Sequence, residues 1–326
     1  MDKKLKIALI GCGNFMYDFF YDCTKKLPIE LVAICDINEE RLDRFSRRYS
    51  VSKTYTDYMK LIKEETLDAV ICIADAQLHY EVAKNCMLAG LNVFIEKTPC
   101  MNVEQATELL TIQKTTGKYT MVGFNRRFTT SYAMAKDLIN KEEFGHINMY
   151  MAKYMSSNYK SEEYFIFNHI VHHLDLARFL LGEIKSIHTD VIRRSDTRVG
   201  FNISFVCESG AIGTLQSGSL LDESYPMERV DIMGDRRNIF IDGIKRLEYN
   251  RPGTAKDITQ DPTLEDGMDT LVWNINYGNV TNYSFYGFEK ELYHFTDSIL
   301  KGKAPEPNME DSIHTMELLE MFKLSL

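Results

Sequence analysis

The feature that most restricts the fold is a short apolar run, Leu5 to Ile10, that ends on Gly11-Cys12-Gly13-Asn14-Phe15-Met16. A run of this length bounded by turn residues reads as a buried strand, and the two glycines after it read as a tight turn into a helix. Gly11 allows the turn, and Gly13 lets backbone N–H groups approach a pyrophosphate whose charge then sits at a helix N-terminus. Met16 stands where a third glycine completes the usual dinucleotide fingerprint. A second apolar run, Leu31 to Cys35, closes on Asp36, 23 residues beyond Gly13. There a carboxylate bonds both ribose hydroxyls and repels a 2′-phosphate, so the pattern predicts NAD. NADP is the alternative, because Asn38 and Arg41 lie nearby.

Ala69 to Ile73, Val93 to Ile95 and Tyr119 to Val122 continue the series of predicted strands, with amphipathic helical segments such as Glu39 to Tyr49 and Leu78 to Leu88 between them. Alternating strands and helices imply a doubly wound parallel sheet. After Gly123 the pattern changes to closely spaced runs: Ile147 to Tyr154, Ile184 to Ile192, Gly200 to Cys207, Ala211 to Ser217, Arg229 to Met233 and Ile239 to Asp242. These predict a large, mostly antiparallel open sheet, with helices around His169 to Leu181, Tyr286 to Leu300 and Met309 to Phe322. The expected organisation is therefore α/β: a Rossmann domain over residues 1–123 and an α+β domain for substrate binding and oligomerisation over 124–326. Arg251 to Gly267 reads as the longest loop.

The 326 residues are enough for about two domains of ordinary size. No run approaches the ~18 apolar residues of a membrane span, and Lys3, Lys4 and Lys6 lead into a first strand rather than a secretion signal. Seven cysteines, scattered and without CxxC spacing, signal neither a disulfide framework nor a zinc site and fit a reducing cytoplasm. A net charge of −9 argues against a nucleic-acid partner, and Arg44, Arg47 and Arg48 share their segment with Glu39, Glu40 and Asp43, as on a solvated helix face.

Two further segments carry chemistry: Glu96-Lys97-Thr98-Pro99 at a strand end, and Asn168 to Asp175 at the start of a helix, with sequence NHIVHHLD. At helical spacing Asn168 and His172, and His172 and Asp175, share one face. His173 points away from His172, and no second ligand cluster is evident, so no metal is expected. Arg126 and Arg127 follow a strand end within reach of phosphate, substrate or Glu143; Arg127 is the preferred substrate contact. His79 reads either as a cofactor neighbour or as a helix-cap or surface histidine.

The chain resembles the glucose-fructose oxidoreductase, inositol dehydrogenase and rhizopine catabolism family, Gfo/Idh/MocA. The similar pieces are IGCGNF at the start, CDIN after the second strand, the block from His79 ending AGLNVFIEKTP, GFNRRF at 123–128, EFGHI at 143–147 and HHLDLARFLLGE at 172–183. The resemblance implies a Rossmann domain, a second domain with a large open sheet, a nicotinamide cofactor, and homodimers or homotetramers formed across that sheet. It implies catalytic roles for Lys97 and His172, with substrate contacts from Asn168, Asp175 and Arg127. It also implies cofactor contacts from Gly11, Gly13, Asn14, Phe15, Asp36, Ala74, His79, Glu96 and Lys97. Two positions depart from the common pattern: Thr98 stands for a proline after the lysine, and Asn168 for an aspartate. Asn168 can orient a hydroxyl or His172 but cannot accept a proton.

The function expected is a cytoplasmic oxidoreductase that moves a hydride between a nicotinamide cofactor and a secondary alcohol of a sugar, amino sugar, sugar phosphate or inositol-like polyol. His172 would be the general base and Lys97 the alkoxide stabiliser. The alternatives are an NAD-dependent glycoside hydrolase of the same superfamily and a non-catalytic cofactor or sugar sensor. Tyr154 to Phe167 and Tyr277 to Phe288 are candidate linings for the substrate.

Overall fold

The computed structural model describes residues 4–221, 227–251, 270–275 and 285–326. The chain forms two compact units: Met1–Phe128 with Thr281–Glu320, and Thr129–Val280 with Met321–Leu326.

The first unit is built on six parallel strands: β1 (Leu5–Ile10), β2 (Ile29–Cys35), β3 (Thr54–Tyr55), β4 (Ala69–Cys72), β5 (Asn92–Glu96) and β6 (Thr120–Gly123). Their order is β3-β2-β1-β4-β5-β6, so the strand order reverses between β1 and β4. In open parallel sheets of this kind ligands bind beyond the carboxyl ends of the strands at that reversal. The register pairs Ile10 with Cys72 and Cys72 with Ile95, which aligns the carboxyl ends of β1, β4 and β5 along one edge. Every residue of β4 and β5 is buried, as expected for strands covered on both faces.

The division differs from a single cut at 123/124. A 3-10 turn, Asn125–Phe128, still belongs to the first unit, and so does the helix Phe288–Leu300. Leu292 and Phe295 of that helix share a core with Leu5, Ile7, Leu9, Phe94 and Met121, and the rings of Phe295 and Phe94 lie 5.8 Å apart. Helical periodicity announces that a face is buried but not which sheet it covers, so the return of the chain to the first unit is invisible locally.

Among the described residues the second unit carries eight strands: β7 (Met149–Met155), β8 (Ile184–Ser195), β9 (Arg198–Cys207), β10 (Ile212–Gly218), β11 (Met227–Met233), β12 (Asn238–Asp242), β13 (Arg246–Asn250) and β14 (Thr270–Asn274). The order is β14-β13-β12-β11-β7-β10-β9-β8, antiparallel throughout except for the parallel pair β7 and β10. Strands β3, β13 and β14 lie outside the runs expected from the sequence; β3 and β13 have too few apolar residues to stand out. β7 alternates exposed and buried residues, which leaves one face of the sheet inward. On that face Tyr154 packs on His169 and His173, and Phe201 packs on Phe165 and Phe322. On the other, Met149, Met151, Val206 and Ile212 are exposed. The expected long loop beyond Arg251, and residues 277–284 of the aromatic stretch from Tyr277, lie outside the described residues.

Candidate active site

In the first unit the glycine turn is fixed by backbone contacts. Gly11 has φ +90°, and a Cβ there would lie 2.0 Å from the Ile73 carbonyl oxygen, so only glycine fits. At Gly13 a Cβ would meet no protein atom within 4 Å, which leaves its backbone open to a close-lying phosphate. Asp36, 7% exposed, accepts from the Cys12 N–H at 2.7 Å and the Asn38 N–H at 2.9 Å, and Arg41 stands 3.8 Å from it. The carboxylate thus ties the end of β2 to the turn after β1. These residues fit a dinucleotide: a turn open at Gly13 with a fixed carboxylate one strand away. Asn14 accepts from Arg44 at 3.1 Å, and the Phe15 ring meets Phe288 edge-on at 5.4 Å. Met16, at the position of the missing glycine, is fully buried in the core, and the helix there opens as a π-turn over Met16–Phe20.

His79 is a buried latch. Its Nε2 accepts from the Ala74 N–H at 2.9 Å, which leaves Nδ1 to donate to the Thr98 carbonyl, also at 2.9 Å. Burial pushes its pKa down to about 4, so the ring is neutral. The latch joins the turn after β4 to the turn after β5, where the Lys97–Thr98 peptide bond is cis although residue 98 is not proline. His79 is therefore neither a surface nor a helix-cap residue; Asp75 caps that helix, accepting from the Leu78 N–H. Burial draws the Lys97 ammonium below the usual lysine range, Glu96 opposes the shift and Arg126 adds to it. Arg127, expected at the substrate, is held in an ion pair with Asp311 at 2.8 Å.

In the second unit, Asn168 lies in a π-turn, Ile166–Ile170, that runs into the helix Val171–Leu181. Its side-chain amide donates to the Tyr164 carbonyl at 2.9 Å. The wider turn replaces the regular helical spacing assumed between Asn168 and His172, because π geometry closes i to i+5. His172 and Asp175 follow on the α-helical part, 8% and 1% exposed. His169 and His173 turn to Tyr154, with ring centroids 5.0 and 4.5 Å away. His173 is thus a packing residue, one position from His172.

The first unit therefore gathers Gly11, Gly13, Asp36, Ala74, His79 and Lys97 at one sheet edge, while Asn168, His172 and Asp175 occupy one helical segment of the second. Sequence reasoning missed Glu291, a fully buried carboxyl on the Phe288–Leu300 helix. Its signal is positional: it falls in the stripe Phe288, Glu291, Leu292, Phe295, where the period calls for an apolar residue.

Among known proteins, a D-apiose dehydrogenase from Paraburkholderia graminis is 23% identical over 99% of this chain and 88% of its own length. A dehydrogenase from Chromobacterium violaceum has the same fold, with a TM-score of 0.87 at 21% identity over 98% of this chain and 94% of that one. An oxidoreductase from Agrobacterium radiobacter, solved with NAD+, L-tartaric acid and magnesium, gives 0.83 at 20% identity over 98% and 95%. Residues 5–124 match the model of the oxidoreductase family with an NAD-binding Rossmann fold, and residues 132–240 match the GFO/IDH/MocA C-terminal domain. With both halves matched and the glycine turn, Asp36 and Lys97 in place, the chain belongs to the Gfo/Idh/MocA family of NAD-binding oxidoreductases.

Proposed function

We propose that the chain is an NAD-dependent dehydrogenase of a secondary alcohol in a sugar, amino sugar, sugar phosphate or inositol-like polyol, with Lys97 and His172 acting on the reacting hydroxyl. The observation that carries this reading is the position of Lys97. It leaves β5, which pairs with β4 next to β1, on the sheet edge that holds the Gly11 turn, and His79 fixes the next residue through its carbonyl.

Gly11, Gly13 and Asp36 would hold the dinucleotide, whose nicotinamide supplies the hydride acceptor when bound. Asp36 favours two ribose hydroxyls over a 2′-phosphate because its carboxylate is fixed and negative. His172 takes the hydroxyl proton, and the Lys97 Nζ donates to the oxygen as its charge grows. Asn168 and Asp175 orient the substrate or His172. The D-apiose dehydrogenase among the relatives supports a sugar-like substrate.

The exposed face at Met149, Met151, Val206 and Ile212, which line a groove of about 370 Å³, supports assembly into a homodimer or homotetramer through the second sheet. Sedimentation velocity at micromolar concentration is expected to show a dimer or larger; a monomer alone would contradict assembly. The functional test is a screen of sugars, sugar phosphates and inositols that follows NADH absorbance, with NAD and NADP side by side. NADH formation with at least one polyol, faster with NAD, is expected. No turnover with any, together with tight cofactor binding, would favour a sensor.

A further inference from the structure

Glu96, next to Lys97, and Glu291, on the helix Phe288–Leu300, are two buried carboxyl groups with few partners. Glu96 ends β5 and is 6% exposed; Glu291 is 0% exposed. Their elements are locked together at two levels. Phe94 meets Phe295 at 5.8 Å, and the Asn125 side-chain amide, just past β6, donates to the Tyr286 carbonyl just ahead of the helix. The N-terminal end of the helix therefore lies at the carboxyl edge of the sheet. From Phe94 to Glu96 is two strand residues, about 6.6 Å toward that edge. From Phe295 back to Glu291 is four helical residues, about 6 Å in the same direction. The two carboxyls come level. Gly123, paired with Glu96 across the sheet, leaves room for this: a Cβ there would sit 3.1 Å from a Glu96 carboxylate oxygen.

Three of the four oxygens, one of Glu96 and both of Glu291, are buried without a hydrogen-bond partner. Two ionised carboxylates cannot satisfy each other, since neither donates; a proton on one turns it into a donor for the other. Burial pushes both groups up, and the charge of Glu96 pushes Glu291 up further. The groups facing the pair are Lys97 next to Glu96, Arg126 beyond Lys97, and Cys23, whose thiol is raised by burial and by Glu289 and Glu291. On the same helix, Glu289 is engaged with Lys26 at 2.6 Å.

We propose that Glu291 is a protonated, neutral carboxylic acid that donates to Glu96, so that Glu96 carries the single negative charge beside Lys97 and sets the charge state of the lysine. Glu291 is thus a positioning residue acting through Glu96. The consequence for catalysis rests on the reading of Lys97 as a group that works on the substrate; the test below needs no substrate, so the two can fail separately.

The experiment is competitive acetylation of Lys97 across pH, read by mass spectrometry, beside infrared spectra of the carboxyl region. Wild type is expected to show a protonated-carboxyl band at pH ~8, well above the ordinary glutamate range, and Glu291→Gln to lose it. Glu291→Gln keeps a neutral donor and leaves the Lys97 midpoint within about 0.3 pH units. Glu96→Gln and Glu291→Leu both move the midpoint down by at least about one unit, since each removes or destabilises the counter-charge. The proposal is overturned if Glu291→Gln shifts the midpoint as far as Glu291→Leu, or if neither Glu96→Gln nor Glu291→Leu shifts it. Where a variant fails to fold, the wild-type spectrum decides: no protonated carboxyl at pH ~8 overturns the proposal outright.

Discussion

The two segments proposed to carry the chemistry are held in different ways. At the edge of the first sheet the fixing contacts run to backbone atoms: Asp36 to the Cys12 and Asn38 N–H groups, His79 to the Ala74 N–H and the Thr98 carbonyl. Around His172 the neighbours pack ring on ring: Tyr154 on His169 and His173, and Phe165 on His169. A side chain that ties two backbone segments has little tolerance, since its loss orphans buried polar groups; stacked rings lose area and adapt. The cofactor end should therefore be brittle and the histidine helix forgiving, except at His172 itself.

The sharpest break is expected at Asp36. Asp36→Ala removes the brace on the glycine turn together with the proposed ribose contact, and should weaken NAD binding by about 10- to 100-fold, the scale of lost hydrogen bonds to a charge. NADP binding should suffer less, because the repulsion is also removed. Calorimetry with both cofactors checks this, and equal losses would show that Asp36 acts only as a brace.

An effect of similar size, on stability rather than on binding, is the pH dependence of the latch. The folded chain holds His79 neutral with a pKa of about 4, against an ordinary value of 6.5. Between those values the unfolded chain binds a proton that the folded chain does not. Stability is therefore full above about pH 6.5 and lost as pH falls toward 4, by on the order of 3 kcal/mol from this residue. Glu96 works in the opposite sense: its pKa is raised in the folded state, so its contribution is lost as pH rises from the ordinary glutamate range toward about 7. Urea unfolding at several pH values should show a shallower acid-side decline in His79→Gln than in wild type. An unchanged slope would remove His79 from the account.

The smallest effect is expected at His173. His173→Ala removes a ring from beneath Tyr154 and should lower Tm by a few degrees while leaving kcat within about threefold of wild type. A collapse of kcat with unchanged Tm would mean that His173, not His172, meets the substrate.

How much was legible in the sequence follows the same divide. The Gly11 turn and Asp36 could be read because a backbone with positive φ and a 2.0 Å approach admit only glycine. Lys97 and His172 stood out as members of two polar segments, the second through helical spacing, and their catalytic roles came only from the family motifs. The His79 latch could not be read, since both its partners are backbone atoms and leave no side-chain signature. Glu291 left a trace, a carboxyl inside an apolar stripe, that mimics a surface residue unless the stripe is drawn first. The π-turn at Ile166–Ile170 changes the spacing around Asn168 without any residue type that announces it.

The central proposal is that Lys97 and His172 serve one chemical step. A double-mutant cycle tests it, using Lys97→Ala, His172→Ala and the pair, with kcat measured on the polyol found by the screen and NAD affinity measured by calorimetry. Each single change is expected to lower kcat by at least ~10²-fold with NAD affinity nearly intact, and the double change to be little worse than either. Multiplicative losses would place the residues in separate steps, and near-normal turnover in either single variant would contradict the claim.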